Sequence, residues 1–187
     1  MRDTTLAGAV IGRDTLLKQA ALVLGGTAFI ALAAQVSVPM FPVPMTLQTL
    51  AILIVGLTFG ARLGAVTLLA YLAQGAMGLP VFANGMNGAA LLGPTAGFLV
   101  GFVAMAWLAG LAVEKGLARG PVTTALCCLA VSAALYLPGL TWLATFTGLE
   151  TAVTVGALPF LAGDAVKAVI AALLVCGGWK AVRARRG

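Results

Sequence analysis

An all-α integral membrane bundle of six transmembrane helices is the fold class this 187-residue sequence predicts, on three observations. Hydrophobic residues form 61% of the chain and charged residues only 9%, where ordinary soluble domains carry about 25% charged residues. Mean hydropathy is +1.10. Apolar runs recur from end to end, and about 20 such residues span a bilayer. Finally, the basic residues outside those runs cluster in alternate breaks between them, the pattern of a chain that crosses a membrane back and forth.

The elements follow in order. Residues 1–14 read as an N-terminal cytoplasmic tail: Leu6 to Gly12 is short for a signal-peptide core, and Arg13, Asp14 and Lys18 follow it. The first helix is expected at Thr15–Gln35. Two short helices, Leu47–Phe59 and Leu63–Met77, are separated by Phe59-Gly-Ala-Arg62; merged they would exceed one ordinary span, so they form a tight hairpin. Longer helices are expected at Leu91–Val113, Val122–Thr147 and Ala157–Val182, followed by a short basic tail at 183–187. The whole chain, 1–187, reads as one membrane domain with no room for a sizeable soluble one.

Charge supports that helix count independently. Arg2, Arg13 and Lys18 precede the first helix, Arg62 lies in the second connection, Lys115 and Arg119 in the fourth, and Lys180, Arg183, Arg185 and Arg186 at the end. Six helices put all of these on one face, which the positive-inside rule makes cytoplasmic, with both termini there; five helices would scatter them. The remaining basic residue is Lys167. It stands in Phe160-Leu-Ala-Gly-Asp-Ala-Val-Lys-Ala-Val-Ile, three residues after Asp164 and on the same helix face. Near mid-membrane each such group costs about 2.5–3.5 kcal/mol on translocon scales, so the fold must satisfy both or they must serve a ligand. A helix starting at Ala157 or Pro159 puts them about 10 Å below its outer end.

On the opposite face, Ser37-Val-Pro-Met-Phe-Pro-Val-Pro-Met45 and Leu79-Pro-Val-Phe-Ala-Asn-Gly-Met-Asn-Gly88 carry no charge but much Pro, Gly, Asn and apolar bulk. Irregular backbone near membrane depth is tolerated where protein covers it or where it lines a cavity. Both segments therefore read as ordered covers over an outward-facing pocket; the plainer alternative is short turns set by Pro and Gly. Under them an ammonium suits an anionic ligand group, while a carboxylate or amide accepts from ligand N–H groups. Asp164 and Lys167 are the leading pocket residues, with a self-satisfying structural ion pair as the alternative. Asn84, Asn87 and Gln48 can both donate and accept near that face, although Asn beside Gly is also a turn residue. Tyr136 and Trp142 flank Pro138-Gly139, as pocket wall or as interfacial belt.

Gly93, Gly97 and Gly101, and likewise Gly56, Gly60 and Gly64, recur every four residues and signify close helix packing. Cys127, Cys128 and Cys176 lie in apolar runs of a chain with no histidine, and read as packing residues rather than metal ligands or a disulfide. There is no Gly-x4-Gly-Lys-Ser/Thr phosphate loop and no His-Glu-x2-His motif. ATP hydrolysis by the familiar design is thus excluded, and with so few acid–base groups the chain reads as no enzyme, needing no metal or cofactor and no nucleic acid. Two binding or structural roles stand beside capture of a ligand for transport: a stand-alone facilitator of a small anionic metabolite, and a non-transporting scaffold subunit of a membrane complex.

Five segments carry a family resemblance: Val43-Pro-Met-Thr-Leu-Gln-Thr-Leu50, Gly60-Ala-Arg-Leu-Gly64, Tyr71-Leu-Ala-Gln-Gly-Ala-Met-Gly-Leu-Pro-Val-Phe82, Gly93-Pro-Thr-Ala-Gly-Phe-Leu-Val-Gly-Phe102 and Gly163-Asp-Ala-Val-Lys167. In this order they resemble BioY, the biotin-binding substrate-capture (S) component family of energy-coupling factor (ECF) transporters. The resemblance implies a six-helix S component of a bacterial plasma membrane with its termini inside. It also implies a vitamin pocket closed by the first and third connections, and a transmembrane coupling protein linking the chain to cytosolic ATPases. By the same resemblance, Asp164, Lys167 and either Asn84 or Asn87 contact biotin. S components often carry Ala-x3-Ala on the first helix where the coupling protein packs; here the match departs to Ala21-x3-Gly25, with Ala28 on the same face.

Overall fold

Apolar segments bounded by Gly and Pro become helices because a backbone away from water must satisfy its own N–H and C=O groups. The structure, a computed structural model, describes residues 5–11 and 15–185. A short helix, α1 (Leu6–Ile11), occupies part of what hydropathy leaves as a tail. In α2 (Leu16–Gln35) the hydroxyl of Thr15 accepts from Lys18 N at 3.4 Å and caps the first turn. The first connection is then held by a two-residue antiparallel ladder, β1 (Ser37–Val38) against β2 (Met45–Thr46), with Ser37 opposite Thr46.

The short pair is a hairpin, as the length argument requires. Helix α3 (Gln48–Phe59) ends at Gly60, whose φ of 85° suits glycine, and α4 (Ala61–Ala76) starts at once. The third connection contains two 3-10 turns, Ala83–Gly85 and Gly88–Leu91. Hydropathy starts the next helix at Leu91, but α5 (Ala96–Glu114) begins five residues later. Leu91 closes a 3-10 turn, and Gly93-Pro-Thr95 delays regular helix. Pro121 opens α6 (Pro121–Thr147), which runs on through Pro138. The last stretch departs most from expectation. A short helix α7 (Leu149–Gly156) follows Gly148, a 3-10 turn spans Leu158–Phe160, and α8 (Leu161–Ala184) starts at Leu161 rather than Ala157. Among the described residues, four stretches are long and apolar enough to cross a membrane: Leu16–Gln35, Ala96–Glu114, Pro121–Thr147 and Leu149–Ala184. Helices α3 and α4 are shorter.

Helix α5 is the hub, packed on α3 and α4 on one side and on α6 on the other. Glycine makes these approaches close. A Cβ added at Gly110 would lie 2.2 Å from Ala61 N and 2.3 Å from Gly60 C, and one at Gly97 would lie 2.3 Å from Pro138 O. Gly56 meets Ala106 O and Gly101 meets Leu135 and Pro138 in the same way, so these ladder glycines serve packing, whereas Gly93, before α5, makes only ordinary contacts. Glu114, at the end of α5, accepts from Ala61 N at 2.9 Å and caps the start of α4. Cys128 is buried, and Cys127 and Cys176 are half-buried, all three as free thiols. Outside the core, large apolar groups such as Leu16, Leu32, Leu137 and Leu173 stand exposed along the helices, as a bilayer-facing surface allows.

The bundle has two unlike ends. Lys18, Arg62, Lys115, Arg119, Lys180, Arg183 and Arg185 lie at helix ends or in connections away from the first and third connections. Arg2, Arg13 and Arg186 lie outside the described residues.

Replacing Gly110 by Ala pushes a methyl group into the α3–α4 junction and should lower stability by about 1–3 kcal/mol. Around Gly25 nothing lies within 4 Å of an added Cβ, so Gly25→Ala should leave stability unchanged or raise it by up to about 1 kcal/mol. Thermal unfolding of the two variants in detergent checks the contrast.

Candidate functional site

A cavity of about 380 Å³ opens at the end of the bundle away from those basic residues. Both expected covers wall it: Met40 to Pro44 from the first connection, and Phe82 to Asn84 with Met86 from the third. Its floor and sides come from α3, α5, α6, α8 and the 3-10 turn before α8, where Phe98, Phe102, Leu135 and Phe160 give it an apolar body. Asp164 and Lys167 reach into this space, so the last helix supplies its charges.

The pair sits higher in its helix than hydropathy suggests. Because α8 starts at Leu161, Asp164 occupies its first turn, only about 4.5 Å along the axis, where the exposed N–H groups favour a carboxylate. Both residues are buried, at 9% and 7% exposure. Asp164 Oδ1 lies 3.5 Å from Lys167 Nζ, and Asp164 Oδ2 accepts from the Tyr136 hydroxyl at 2.5 Å. Lys167 Nζ in turn donates to Thr49 Oγ1 at 3.0 Å. The ion pair thereby ties α8 to α6 and α3. An ammonium carries three donors, so with Thr49 and Asp164 as partners Lys167 retains one N–H for a ligand.

The other sequence-selected residues separate. Gln48 lies on the cavity wall, buried at 4% exposure, and its Nε2 donates to Tyr71 Oη at 2.8 Å. Asn84 also lines the cavity, in a left-handed conformation (φ 57°), and its Oδ1 accepts from Ser37 Oγ at 2.7 Å. Asn87 is not on the wall; its Oδ1 accepts from Ala89 N at 3.3 Å and caps a 3-10 turn. Tyr136 is on the wall, but Trp142 is not: its indole N–H donates to Gly93 O at 3.0 Å, beside a separate shallow groove between α5 and α6. Trp142 lies about one and two-thirds turns beyond Tyr136 and on another side of α6, which is why the two part company. Ala21, Gly25 and Ala28 do not line the cavity and are exposed together on one face of α2.

Four participants have no signal in hydropathy. Thr49 and Tyr71 lie in apolar helices, where a hydroxyl reads as incidental. Gln35 and Ser37 lie at a helix end, where polar residues are ordinary. Gln35 Nε2 nevertheless donates to Phe82 O at 3.0 Å and its Oε1 accepts from Gly85 N at 3.0 Å, bracketing Asn84. Among the described residues no group of His, Cys, Asp and Glu side chains is arranged to hold a metal.

The BioY family model matches residues 4–184. The chain belongs to the BioY family. A probable biotin transporter BioY of Pyrococcus horikoshii is 40% identical over 160 residues, covering 84% of this chain and 93% of the relative. The biotin transporter BioY of Rhizobium etli is 41% identical over 148 residues, 74% of this chain and 79% of the relative. In fold, the chain is similar to the crystal structure of the S-component for biotin from an ECF-type ABC transporter. That match has a TM-score of 0.75 and 24% identity, and covers 91% of this chain and 92% of the other. The family and the apolar helices together make this BioY-family chain a multi-pass membrane protein related to transporters.

Removing one partner of a buried ion pair strands the other. Without ligand, Asp164→Asn and Lys167→Met should each destabilise by up to about 3–5 kcal/mol, while the double variant should lose clearly less than their sum. Thermal unfolding of the three variants measures the coupling, and additive losses would refute the pairing.

Proposed function

We propose that this chain captures biotin at the outer face of a bacterial plasma membrane as the S component of an ECF transporter. It is a single membrane domain, 1–187, of six spans with both termini in the cytoplasm. Support for six comes from the hairpin of α3 and α4, whose two short helices together with the four long stretches make six crossings. Support for the orientation comes from the basic residues at the end away from the cavity.

The observation that carries the reading is a charged pair on the wall of an otherwise apolar cavity in a BioY-family chain. Biotin matches that wall in kind. Its carboxylate suits the remaining N–H of Lys167, its ureido N–H and C=O groups suit Asp164 and Asn84, and its apolar ring and tail suit the phenyl groups of α5. Asn84, which lines the cavity, is the asparagine of choice over Asn87. Gln48 and Tyr136 complete the polar wall, and Trp142 takes the belt role.

Capture involves no covalent chemistry, and ATP energy arrives in trans from cytosolic ATPases through a transmembrane coupling protein. The bare face of Ala21, Gly25 and Ala28 on α2 is the contact for that coupling protein, since small residues let a partner helix approach closely. A scaffold role has one observation in its favour, the bonding of the ion pair within the chain, but a scaffold gives no reason for a cavity beside it.

Calorimetric titration of the detergent-solubilised protein with biotin tests the reading directly. The parent should bind, and Lys167→Ala and Asp164→Ala should each weaken binding at least about tenfold, the scale of one charge-assisted hydrogen bond. Two alanine variants that bind as tightly as the parent would overturn the site. Separately, Gly25→Leu should leave biotin affinity unchanged yet abolish ATP-dependent uptake in cells containing the coupling subunits; unimpaired uptake would remove α2 from the partner interface.

A further inference from the structure

One polar chain in the cavity wall has a fixed direction. Tyr71 is fully buried, and its hydroxyl donates to Val81 O at 2.7 Å. A backbone carbonyl only accepts, so the single phenolic proton is committed to Val81. The contact of 2.8 Å between Tyr71 Oη and the Gln48 amide must then run the other way, with Gln48 donating. An amide that gives its nitrogen to Tyr71 has its carbonyl oxygen left over. Among the described residues no donor reaches Gln48 Oε1. Among the described residues Ser132 Oγ is the one fully buried side-chain N or O atom without a partner, so Gln48 Oε1 is not fully buried. Oε1 therefore keeps accessible surface, and a residue 4% exposed on a cavity wall has that surface in the cavity.

We propose that Tyr71 is a positioning residue that sets ligand specificity: by holding Val81 O on one side and the Gln48 amide on the other, it makes Gln48 an acceptor-only group that selects a ligand N–H. The inference rests on the reading of this cavity as a biotin site and adds what that reading leaves open, the polarity of one contact. The contrast with Asn84 supports it. There the partner is the Ser37 hydroxyl, which rotates and can reverse its bond, so Asn84 has no fixed polarity. Gln48 has no such freedom. Phe82, edge-on to the Tyr71 ring at a centroid distance of 5.3 Å, keeps the phenol in place.

The probes are biotin and the two cyclic-carbamate analogues in which one ureido N–H is replaced by ring oxygen, a change that removes a donor and adds almost no bulk. The parent should prefer biotin over one of the analogues by about 30-fold or more, because two acceptors would face each other. In Tyr71→Phe the Gln48 amide is free to turn its nitrogen to the cavity, and that preference should fall to about fivefold or less. Gln48→Met should lose the preference as well, and Tyr71→Phe should then add no further change in the ratio. A purely structural tyrosine would instead lower the melting temperature and weaken all three ligands alike, leaving the ratio intact, and that result overturns the proposal. Gln48→Met with its full preference retained overturns it too, whatever the folding of Tyr71→Phe. A parent that binds no biotin overturns the biotin reading itself, and the inference with it; a parent that binds while the ratio stays fixed overturns the inference alone.

Discussion

A carboxylate and an ammonium side by side inside an apolar bundle impose the constraint that the rest of the structure answers. Both residues are more than nine-tenths buried, and their attraction for each other does not by itself repay the lost hydration. The fold supplies the difference with neighbours: the first turn of α8 under Asp164, the Tyr136 hydroxyl from α6 and the Thr49 hydroxyl from α3. Three helices are thereby fixed in register around one point. The cavity exists beside that point because the pair is bonded on its protein side and left open on the other.

Glycine at the crossings and irregular backbone at one end divide the remaining labour. Where α5 meets the α3–α4 junction and α6, side chains have been reduced to hydrogen, so these crossings are rigid by contact of backbone with backbone. The covers are built otherwise, with Pro, 3-10 turns and a two-residue ladder, and side chains such as Gln35 supplement their backbone–backbone hydrogen bonds. A close-packed bundle with an irregular rim leaves room for a cavity at one end while the crossings below it stay fixed.

Much of this was legible from residue order alone. The α3–α4 hairpin, the burial of Asp164 and Lys167 together, and the two covers follow from length, charge and Pro–Gly content, which act locally or through the membrane. The parts that escaped depend on tertiary placement. Leu149–Gly156 is too short and too rich in β-branched residues to announce a helix, and the late starts of α5 and α8 reflect 3-10 turns that look apolar and continuous in one dimension. Asn84 and Asn87, three residues apart, part because Asn84 takes a left-handed conformation on the cavity wall while Asn87, with negative φ, caps the next 3-10 turn. Tyr71 and Thr49 acquire meaning only once α4 and α3 are packed, since a hydroxyl on an apolar helix says nothing about what will face it.

Helix α2 joins two regions that would otherwise be independent. One stretch presents the small residues Ala21, Gly25 and Ala28 to the outside, and its far end grips the third connection through Gln35 while Ser37 ties the two rims together. Any displacement of this rod is therefore felt at the mouth of the cavity. Thermodynamic linkage makes such communication symmetrical: if docking on the small-residue stripe loosens the grip on the mouth, a filled cavity must weaken docking by the same factor, and if it tightens the grip, a filled cavity must favour docking.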